Sequence, residues 1–277
     1  MLEAIRAAGL RGIEWVDAPC ATRAQLGLVH SAAHISNILD APSDPPRMLD
    51  VDTGMNAHSA VAALRAAGAG CAAVDAVMAG HAARAFCAVR PPGHHAMPDR
   101  AMGFCLFNSI AVAARYALVA HSLARVAIVD FDVHHGNGTQ AAIEHEARIL
   151  YLSSHERGLY PGTGLAYERG VGNVRNLLLA PDSGSEAFRA AWREVMLPVL
   201  DDFRPELLLI SAGFDAHRAD PMAHLALAVE DFAWITRELL ALARRHARGR
   251  VVSMLEGGYD LDALGECVVA HLRELLE

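Results

Sequence analysis

One short stretch constrains the fold of this chain more than any other: Val126-Ala-Ile-Val-Asp-Phe-Asp-Val-His-His-Gly-Asn-Gly138. Its first four residues are small and apolar, and three of them are β-branched, which is typical of a strand buried on both faces in a parallel sheet. Asp130 and Asp132 then alternate with apolar residues and share one face, and His134 joins them if the extended geometry persists. The stretch therefore predicts a buried strand followed by acids and an imidazole.

Two carboxylates and an imidazole at the end of a buried strand need a compensating partner. Their burial would cost several kcal/mol without a cation or a dense set of hydrogen bonds. The oxygen and nitrogen donors of Asp132 and His134 suit Zn²⁺ or a similar divalent metal. A third acid, Asp215, follows a second apolar strand, and three such ligands would leave an open coordination position for water or substrate. His217 makes a second Asp-x-His pair with Asp215, but its surroundings favour a loop residue.

Strands and helices alternate along the chain, which predicts a three-layer α/β fold with a mostly parallel sheet. The 277 residues and their 53% apolar content favour one large domain over 1–277. The apolar patterns predict strands over 84–90, 126–132, 149–153 and 251–255, with a further strand from residue 207. Helical patterns cover 2–8, 21–39, 59–78, 109–120, 139–145, 185–203, 230–245 and 261–275.

Polar residues follow four of these strands, and in such sheets ligands bind beyond the carboxyl ends of the strands. His94 and His95 follow the first strand in a Pro/Gly loop, and Tyr259 follows the last. Asp130 and Asn137 could each orient one of the two imidazoles, the acid making its partner more basic and the amide leaving its partner nearer neutral. Two differently tuned histidines are what an acid/base step needs. Exposed loop imidazoles are the alternative interpretation.

Three aromatic residues lie in Gly-rich loops at the same predicted edge. Tyr259 follows Gly257-Gly258, which suggests a phenol on a mobile turn that is free to donate to an oxyanion. Phe104 and Tyr160 could line a narrow apolar channel. For all three, the alternative is a core aromatic residue.

Charge and cysteine content narrow the functional class. A net charge of −8 gives no electrostatic reason to expect nucleic acid or anionic lipid as a partner, and slightly favours cationic peptides or amines. Five cysteines without a C-x-x-C spacing suggest neither a disulfide framework nor a thiolate zinc site, so a reducing cytoplasm fits. We find no signal peptide pattern and expect no apolar stretch of the ~20 residues that a membrane span needs.

Six motifs resemble, in order and spacing, those of class II-like histone deacetylases and their bacterial relatives. The resemblance implies an arginase-like α/β fold and zinc-dependent hydrolysis of an N-acyl amide, typically ε-acetyl-lysine, with Fe²⁺ as an alternative metal. The motifs are Arg90-Pro-Pro-Gly-His-His95, Gly103-Phe-Cys-Leu-Phe-Asn108, Asp130-Phe-Asp-Val-His-His-Gly-Asn-Gly-Thr-Gln140, Tyr160-Pro-Gly-Thr-Gly164, Ser211-Ala-Gly-Phe-Asp215 and Glu256-Gly-Gly-Tyr259.

The resemblance also implies a role for each matching residue. One zinc ion would be held by Asp132, His134 and Asp215. His95 would act as general base and then acid, oriented by Asn137, and His94 paired with Asp130 would stabilise charge. Tyr259 would donate to the developing oxyanion, and the acyl-lysine stem would lie between Phe104 and Tyr160 beside the carbonyl of Gly103. A structural potassium ion would be held by main-chain oxygens of Asp130, Asp132, His134 and Ser154 and by the Ser153 hydroxyl.

Two departures from the family pattern leave alternatives open. Family members begin with a strand and a His-Pro-Glu-x-Pro-x-Arg-Leu loop, and Met1 stands where that arginine would be, so this strand and loop are expected to be missing or the start to be misplaced. Polyamine-selective relatives carry a gatekeeper glutamate where this chain has Met222, which makes a polyamine substrate less favoured than an acyl-lysine. The rival functions are an acetylpolyamine amidohydrolase, a binuclear manganese ureohydrolase and a non-catalytic acyl-lysine-binding protein.

Overall fold

A computed structural model describes residues 1–277 and contains a six-stranded sheet in which all neighbouring strands run parallel. The strands are β1 (Arg47–Met48), β2 (Gly54–Met55), β3 (Arg84–Cys87), β4 (Val126–Asp130), β5 (Ile149–Glu156), β6 (Val174–Leu179), β7 (Leu207–Ala212) and β8 (Val251–Leu255). The large sheet has the spatial order β3-β8-β7-β4-β5-β6, and β1 and β2 form a separate antiparallel pair.

Helices fill both faces of the sheet. They are α1 (Leu2–Ala7), α2 (Arg23–Leu26), α3 (Ala32–Leu39), α4 (Ser59–Ala79), α5 (Ser109–Ala120), α6 (Asn137–Ile143), α7 (Ser185–Ala191), α8 (Leu197–Phe203), α9 (Val229–His246) and α10 (Leu261–Leu275). A single π-helical stretch, Trp192–Met196, joins α7 to α8.

The central strand β4 shows why the fold has three layers. All five of its residues are buried. Val126 and Ile128 point into the apolar cluster that contains α4 and α5, whereas Ala127 and Val129 point into the cluster that contains α9 and α10. Side chains alternate between the two faces of a strand, so a continuous apolar run must be covered on both sides. The predicted three-layer α/β architecture with a parallel sheet is confirmed.

Most predicted elements are present, and the differences occur where the pattern was weakest. The stretch predicted as helical over 21–39 contains two short helices, α2 and α3, and between them the Leu28 to Ser31 backbone forms turns with a Ser31 cap on α3. Strand β6 was not predicted, because it is the edge strand and its half-buried residues do not alternate in polarity. Strand β4 ends at Asp130 rather than continuing to residue 132.

Helix α4 corrects one expectation. It is 21 residues long and apolar enough, by length and composition, to cross a membrane, although we expected no such stretch. The helix packs inside the fold: 56% of its most apolar 18 residues are buried. Gly70, for example, packs against Ala113 of α5 and Met254 of β8. A helix buried in a protein core can meet the same criteria of length and hydropathy as a membrane-spanning helix.

The sheet order brings the polar loops together. The loops that follow β3, β8, β7 and β4 carry the candidate residues, and these four strands are neighbours in space although they are far apart in sequence. The parallel register pairs Asp130 with Ser211 and Ala212 with Leu255, so the strands end at nearly the same level. The site is therefore built at one edge of four adjacent strands, as expected for this fold class.

One buried histidine of the core makes stability depend on pH. His271 is fully buried and bonds to the hydroxyls of Thr236 (2.6 Å) and Ser253 (2.8 Å). Burial lowers the pKa of His271 from 6.5 to about 3. Between these two pH values the imidazole is protonated in the unfolded chain and neutral in the folded chain. The stability contribution is therefore full above pH 6.5 and is lost as pH falls toward 3.

We expect the free energy of unfolding to fall between pH 7.5 and 4.5, with His271 contributing a slope of up to ~1.4 kcal/mol per pH unit. His271→Gln should reduce that slope, as measured by urea unfolding at several pH values. His145→Gln, which changes an exposed imidazole, should leave it unchanged. Equal slopes for the wild type and His271→Gln would contradict this account.

Candidate metal centre and active site

Three side chains from the loops after β4 and β7 converge on one buried point. The Nδ1 atom of His134 lies 3.1 Å from Oδ1 of Asp132 and 3.1 Å from Oδ2 of Asp215. The donor atoms of this group all lie within 4.8 Å of one another, and no other group of three such residues does so. Two carboxylates and one imidazole at this spacing fit the ligand preferences of Zn²⁺ and similar divalent metals.

The charges of this group also fit a cation. Burial and the neighbouring Asp132 carboxylate raise the pKa of Asp215 to about 6. Burial would lower the pKa of His134, but its bonds to the two carboxylates raise that pKa to about 11. The buried carboxylates therefore favour a positive charge between them, and a divalent metal ion would supply one.

Backbone hydrogen bonds shape the turn that carries the first two donors. The amide of Asp132 donates to Oδ1 of Asp130 (3.1 Å), and the amide of His134 donates to Oδ1 of Asp132 (2.9 Å). The side chains therefore converge through a turn rather than through the continued strand that the alternation suggested. The amide of Val133 donates to Oδ1 of Asp215 (3.0 Å), which ties the loop after β7 to the same turn.

Two glycines allow the carboxylates to come this close. A Cβ atom at Gly213 would collide with the carboxylate of Asp132, and one at Gly257 would collide with Oδ2 of Asp215. The amide of Gly257 also donates to Oδ2 of Asp132 (2.8 Å). At these two positions the backbones of the loops after β7 and β8 therefore pack directly on the carboxylates.

His94 lies beside this group and is paired with an acid. Its Nδ1 atom lies 3.1 Å from Oδ2 of Asp130, and its Nε2 atom lies 3.8 Å from Oδ1 of Asp132. Burial would lower the pKa of His94, but the carboxylates of Asp132, Asp130 and Glu256 raise it to about 10. The hydroxyl of Tyr151 donates to the same Asp130 oxygen (2.9 Å) and helps to hold it.

His95 has a contrasting environment. Its Nδ1 atom lies 2.8 Å from Oδ1 of Asn137, a neutral amide oxygen. Burial and the positive charge of His94 lower the pKa of His95 well below 6.5. The two rings are only 4.0 Å apart between centroids. The two adjacent rings therefore have pKa values shifted in opposite directions, upward for His94 beside its carboxylates and downward for His95 beside a neutral amide.

The three aromatic residues surround the same point. The Tyr160 ring meets the His95 ring edge-on at 5.1 Å, and the Phe104 ring meets the Tyr259 ring at 6.0 Å. Phe104 and Tyr160 are each 36% exposed, so both lie at the protein surface rather than in the core. Burial and then the carboxylates of Asp215 and Asp132 raise the pKa of Tyr259, which keeps its phenol protonated at neutral pH.

The loop before α4 contributes residues that sequence reasoning missed. Oδ1 of Asp52 accepts a hydrogen bond from the amide of Gly103 (3.1 Å), and Oγ1 of Thr53 accepts one from Phe104 (2.9 Å). Burial and then the carboxylates of Asp52 and Asp50 raise the pKa of Tyr160, so these acids lie near the Tyr160 ring. The prolines of residues 40–52 predict only a loop, and no periodic signal points to the site.

Glu256 was noticed only as part of a motif, with no role. It is buried, and its Oε2 atom accepts the amides of Gly93 (2.7 Å) and His94 (3.1 Å). Its Oε1 atom accepts the Ser211 hydroxyl (3.0 Å). Glu256 therefore fixes the backbone of the histidine loop. The only sequence signal was an acid directly after an apolar strand.

The remaining predicted residues lie where the strand register puts them. Asp130 pairs with Ser153 on the adjacent strand β5, and Ser153 and Ser154 are both buried. Met222 is 41% exposed in the loop after β7. Nδ1 of His217 accepts a hydrogen bond from the amide of Ala219 (3.2 Å), as expected of a loop residue.

Sequence comparison identifies relatives along almost the whole chain. The family model for the histone deacetylase domain matches residues 1–275. A histone deacetylase-like amidohydrolase of Pseudomonas aeruginosa is 39% identical over 264 residues, which cover 94% of this chain and 70% of that protein. The chloroplastic histone deacetylase 14 of Arabidopsis thaliana is 38% identical, with 97% of this chain and 67% of that protein covered.

Another relative is much longer than this chain. Type-2 histone deacetylase 2 of Dictyostelium discoideum is 41% identical over 82% of this chain, but the match spans only 14% of that protein. The chain therefore corresponds to between 14% and 70% of the length of these three relatives.

A solved structure agrees with the sequence matches. The crystal structure of the HDA15 HD domain superposes with a TM-score of 0.92 and 35% identity, covering 99% of this chain and 80% of that chain. This match confirms the arginase-like fold that the motif resemblance implied. Together with the domain match, it shows that the chain belongs to the histone deacetylase family.

Proposed function

We propose that this chain is a zinc-dependent hydrolase that removes acetyl or other acyl groups from ε-N-acyl-lysine or a related small N-acyl amine. One observation carries the proposal: the convergent donors of Asp132, His134 and Asp215 lie directly beside two imidazoles of opposite charge preference. Relatives named deacetylase or amidohydrolase support the same class of reaction.

Asp132, His134 and Asp215 would hold the metal. When bound, a divalent cation supplies polarisation of the scissile carbonyl and a lowered pKa for water. The three protein ligands leave a coordination position for these groups. The donor set also favours one metal over two, because Gly136 and His217 stand where a binuclear manganese site would need further acids.

His95 is the residue suited to moving protons. Its Nδ1–H donates to Asn137, which leaves Nε2 unprotonated and able to accept a proton from attacking water. The same atom can then return the proton to the leaving amine. His94 is suited to a different task, because its bond to Asp130 keeps it charged and lets it stabilise negative charge nearby.

Tyr259 would donate its phenol proton to the developing oxyanion. Its raised pKa keeps the proton available, and a donor aimed at developing charge is among the largest catalytic effects. Phe104 and Tyr160 would flank the aliphatic stem of the acyl-lysine, with the backbone of Gly103 on the channel wall. Gly103 lies against the His95 ring, where a Cβ atom would clash.

The potassium site is also a proposal. Its oxygen donors would come from the backbone of Asp130, Asp132, His134 and Ser154 and from the Ser153 hydroxyl. The pairing of Asp130 with Ser153 on adjacent strands supports this proposal, because it makes the two donor segments neighbours. A potassium ion there would stabilise the turn that presents Asp132 and His134.

An acetylpolyamine is the second candidate substrate: the carboxylates of Asp50 and Asp52 near Tyr160 favour it, whereas Met222 in place of a gatekeeper glutamate argues against it. The test is an activity panel with zinc-, iron- and manganese-reconstituted protein, using acetyl-lysine peptides, acetylpolyamines and longer acyl amides. We expect one metal per chain by elemental analysis and turnover of acyl-lysine that chelation abolishes. Two manganese ions per chain, or metal binding without any turnover, would contradict the proposal.

A further inference from the structure

Asp220 connects the loop after β7 to the turn after β8 that carries Tyr259. It lies in the loop after β7, five positions beyond Asp215, and its side chain is buried. Its Oδ2 atom accepts the backbone amides of Tyr259 (2.7 Å) and Asp260 (3.2 Å). Its Oδ1 atom accepts the amide of Met222 (3.0 Å). One carboxylate thus satisfies three backbone donors.

The turn that carries Tyr259 needs such a restraint. Two glycines precede the tyrosine, and Gly258 has a φ of +136°, a conformation that other residues rarely adopt. The start of the turn is held by Gly257, whose amide binds Asp132 and whose carbonyl accepts the amide of Phe214 (2.9 Å). The backbone amide of Tyr259 itself is held by Asp220.

Charge makes these bonds strong. A carboxylate that accepts backbone amides forms charge-assisted hydrogen bonds, which are about twice as strong as bonds between neutral groups. An asparagine cannot fully replace this aspartate, because it has one acceptor oxygen and one NH₂ group. In either orientation of its amide, the NH₂ group would face a backbone N–H donor. The site therefore needs an acid and not merely a polar residue of the same shape.

We propose that Asp220 is a positioning residue: it fixes the backbone of Tyr259 so that the phenol reaches the acyl oxygen, and it links this turn to the loop of Met222. This proposal rests on the proposed function of Tyr259. Its first test does not require activity. Hydrogen exchange of the amides of Tyr259 and Asp260 should be slow in the wild type and at least about tenfold faster in Asp220→Ala, since exchange reports local opening.

The matched control is Asp262→Ala, which removes an exposed carboxylate in the first turn of α10. It should leave both exchange rates unchanged. Asp220→Asn keeps the size of the side chain and should give an intermediate rate, which keeps the test informative if Asp220→Ala folds poorly. Unchanged exchange at Tyr259 in both Asp220 variants would overturn the proposal, whatever the enzyme does.

The second test is a double-mutant cycle with Tyr259→Phe. Loss of an oxyanion donor should lower kcat by about 10²–10³-fold. In the wild-type background, we expect Asp220→Ala to lower kcat by roughly 10–100-fold and to change KM less. In the Tyr259→Phe background, adding Asp220→Ala should lower kcat by less than about threefold. Equal factors in both backgrounds would show that Asp220 does not act through Tyr259. A wild type inactive on every acyl amine would sink the proposed function and leave the exchange result standing.

Discussion

Replacing Asp215 with alanine should abolish turnover and divalent-metal binding together. The carboxylate is one of only three convergent donors, and its removal would leave Asp132 and His134 as the only protein ligands. Losing an outer partner of a metal ligand already costs roughly 10–100-fold in affinity or activity, so losing a ligand itself should cost more. Elemental analysis after reconstitution and the rate on an acetyl-lysine peptide measure the two effects.

Thermal unfolding gives a further measure of the same change. A ligand whose free concentration is 100 times its Kd stabilises the folded state by ~2.7 kcal/mol. Zinc should therefore raise the Tm of the wild type. Asp215→Ala should show no such shift. The exposed carboxylate of Asp262 provides the control, because Asp262→Ala should keep both the shift and the activity. A full complement of zinc in Asp215→Ala would rule out the assigned ligand set.

Replacing His95 with alanine should lower kcat on acyl-lysine by about 10²–10⁴-fold, the range for a general acid or base. The neutral ring beside Asn137 is the one imidazole at the site that can accept a proton at neutral pH. The loss should be smaller on an aryl acetate, because its leaving group departs without being protonated. Stopped assays on both substrates compare the two factors.

Zinc content and Tm should remain near wild type in His95→Ala, since His95 is not among the metal donors. His145→Ala, which removes an exposed imidazole, is the control and should leave activity unchanged. If the amide and the aryl ester lost activity equally, His95 would not be the residue that protonates the leaving amine. If His94→Ala alone caused the loss, the two roles would have to be exchanged.

Much of the site could be predicted because its residues follow buried strands. An apolar run that ends in acids, as at Asp130 and Asp132, can be recognised in one dimension, and a parallel sheet must bring such ends to one edge. The same reasoning located His94 and Asp215. The expectation that no apolar stretch is long enough to span a membrane was wrong for α4. Length and hydropathy alone do not distinguish a core helix from a membrane-spanning helix.

Other parts of the site could not be predicted because they depend on contacts between distant loops. Asp52, Glu256 and Asp220 act by accepting backbone amides from segments that lie 51, 163 and 39 positions away in the chain. No local periodicity marks such residues. The same holds for Gly213, whose lack of a side chain matters only because Asp132 packs on it.

Local patterning thus determined the alternation of strands and helices, the parallel sheet and the chemical types of the site residues. Tertiary structure decided which strands are neighbours, how far apart the donors lie, and why His94 is charged while the adjacent His95 is neutral. The physical reason is that burial and strand preference are properties of short segments, whereas pKa values and donor geometry depend on charges and backbone amides that only folding brings within a few ångströms.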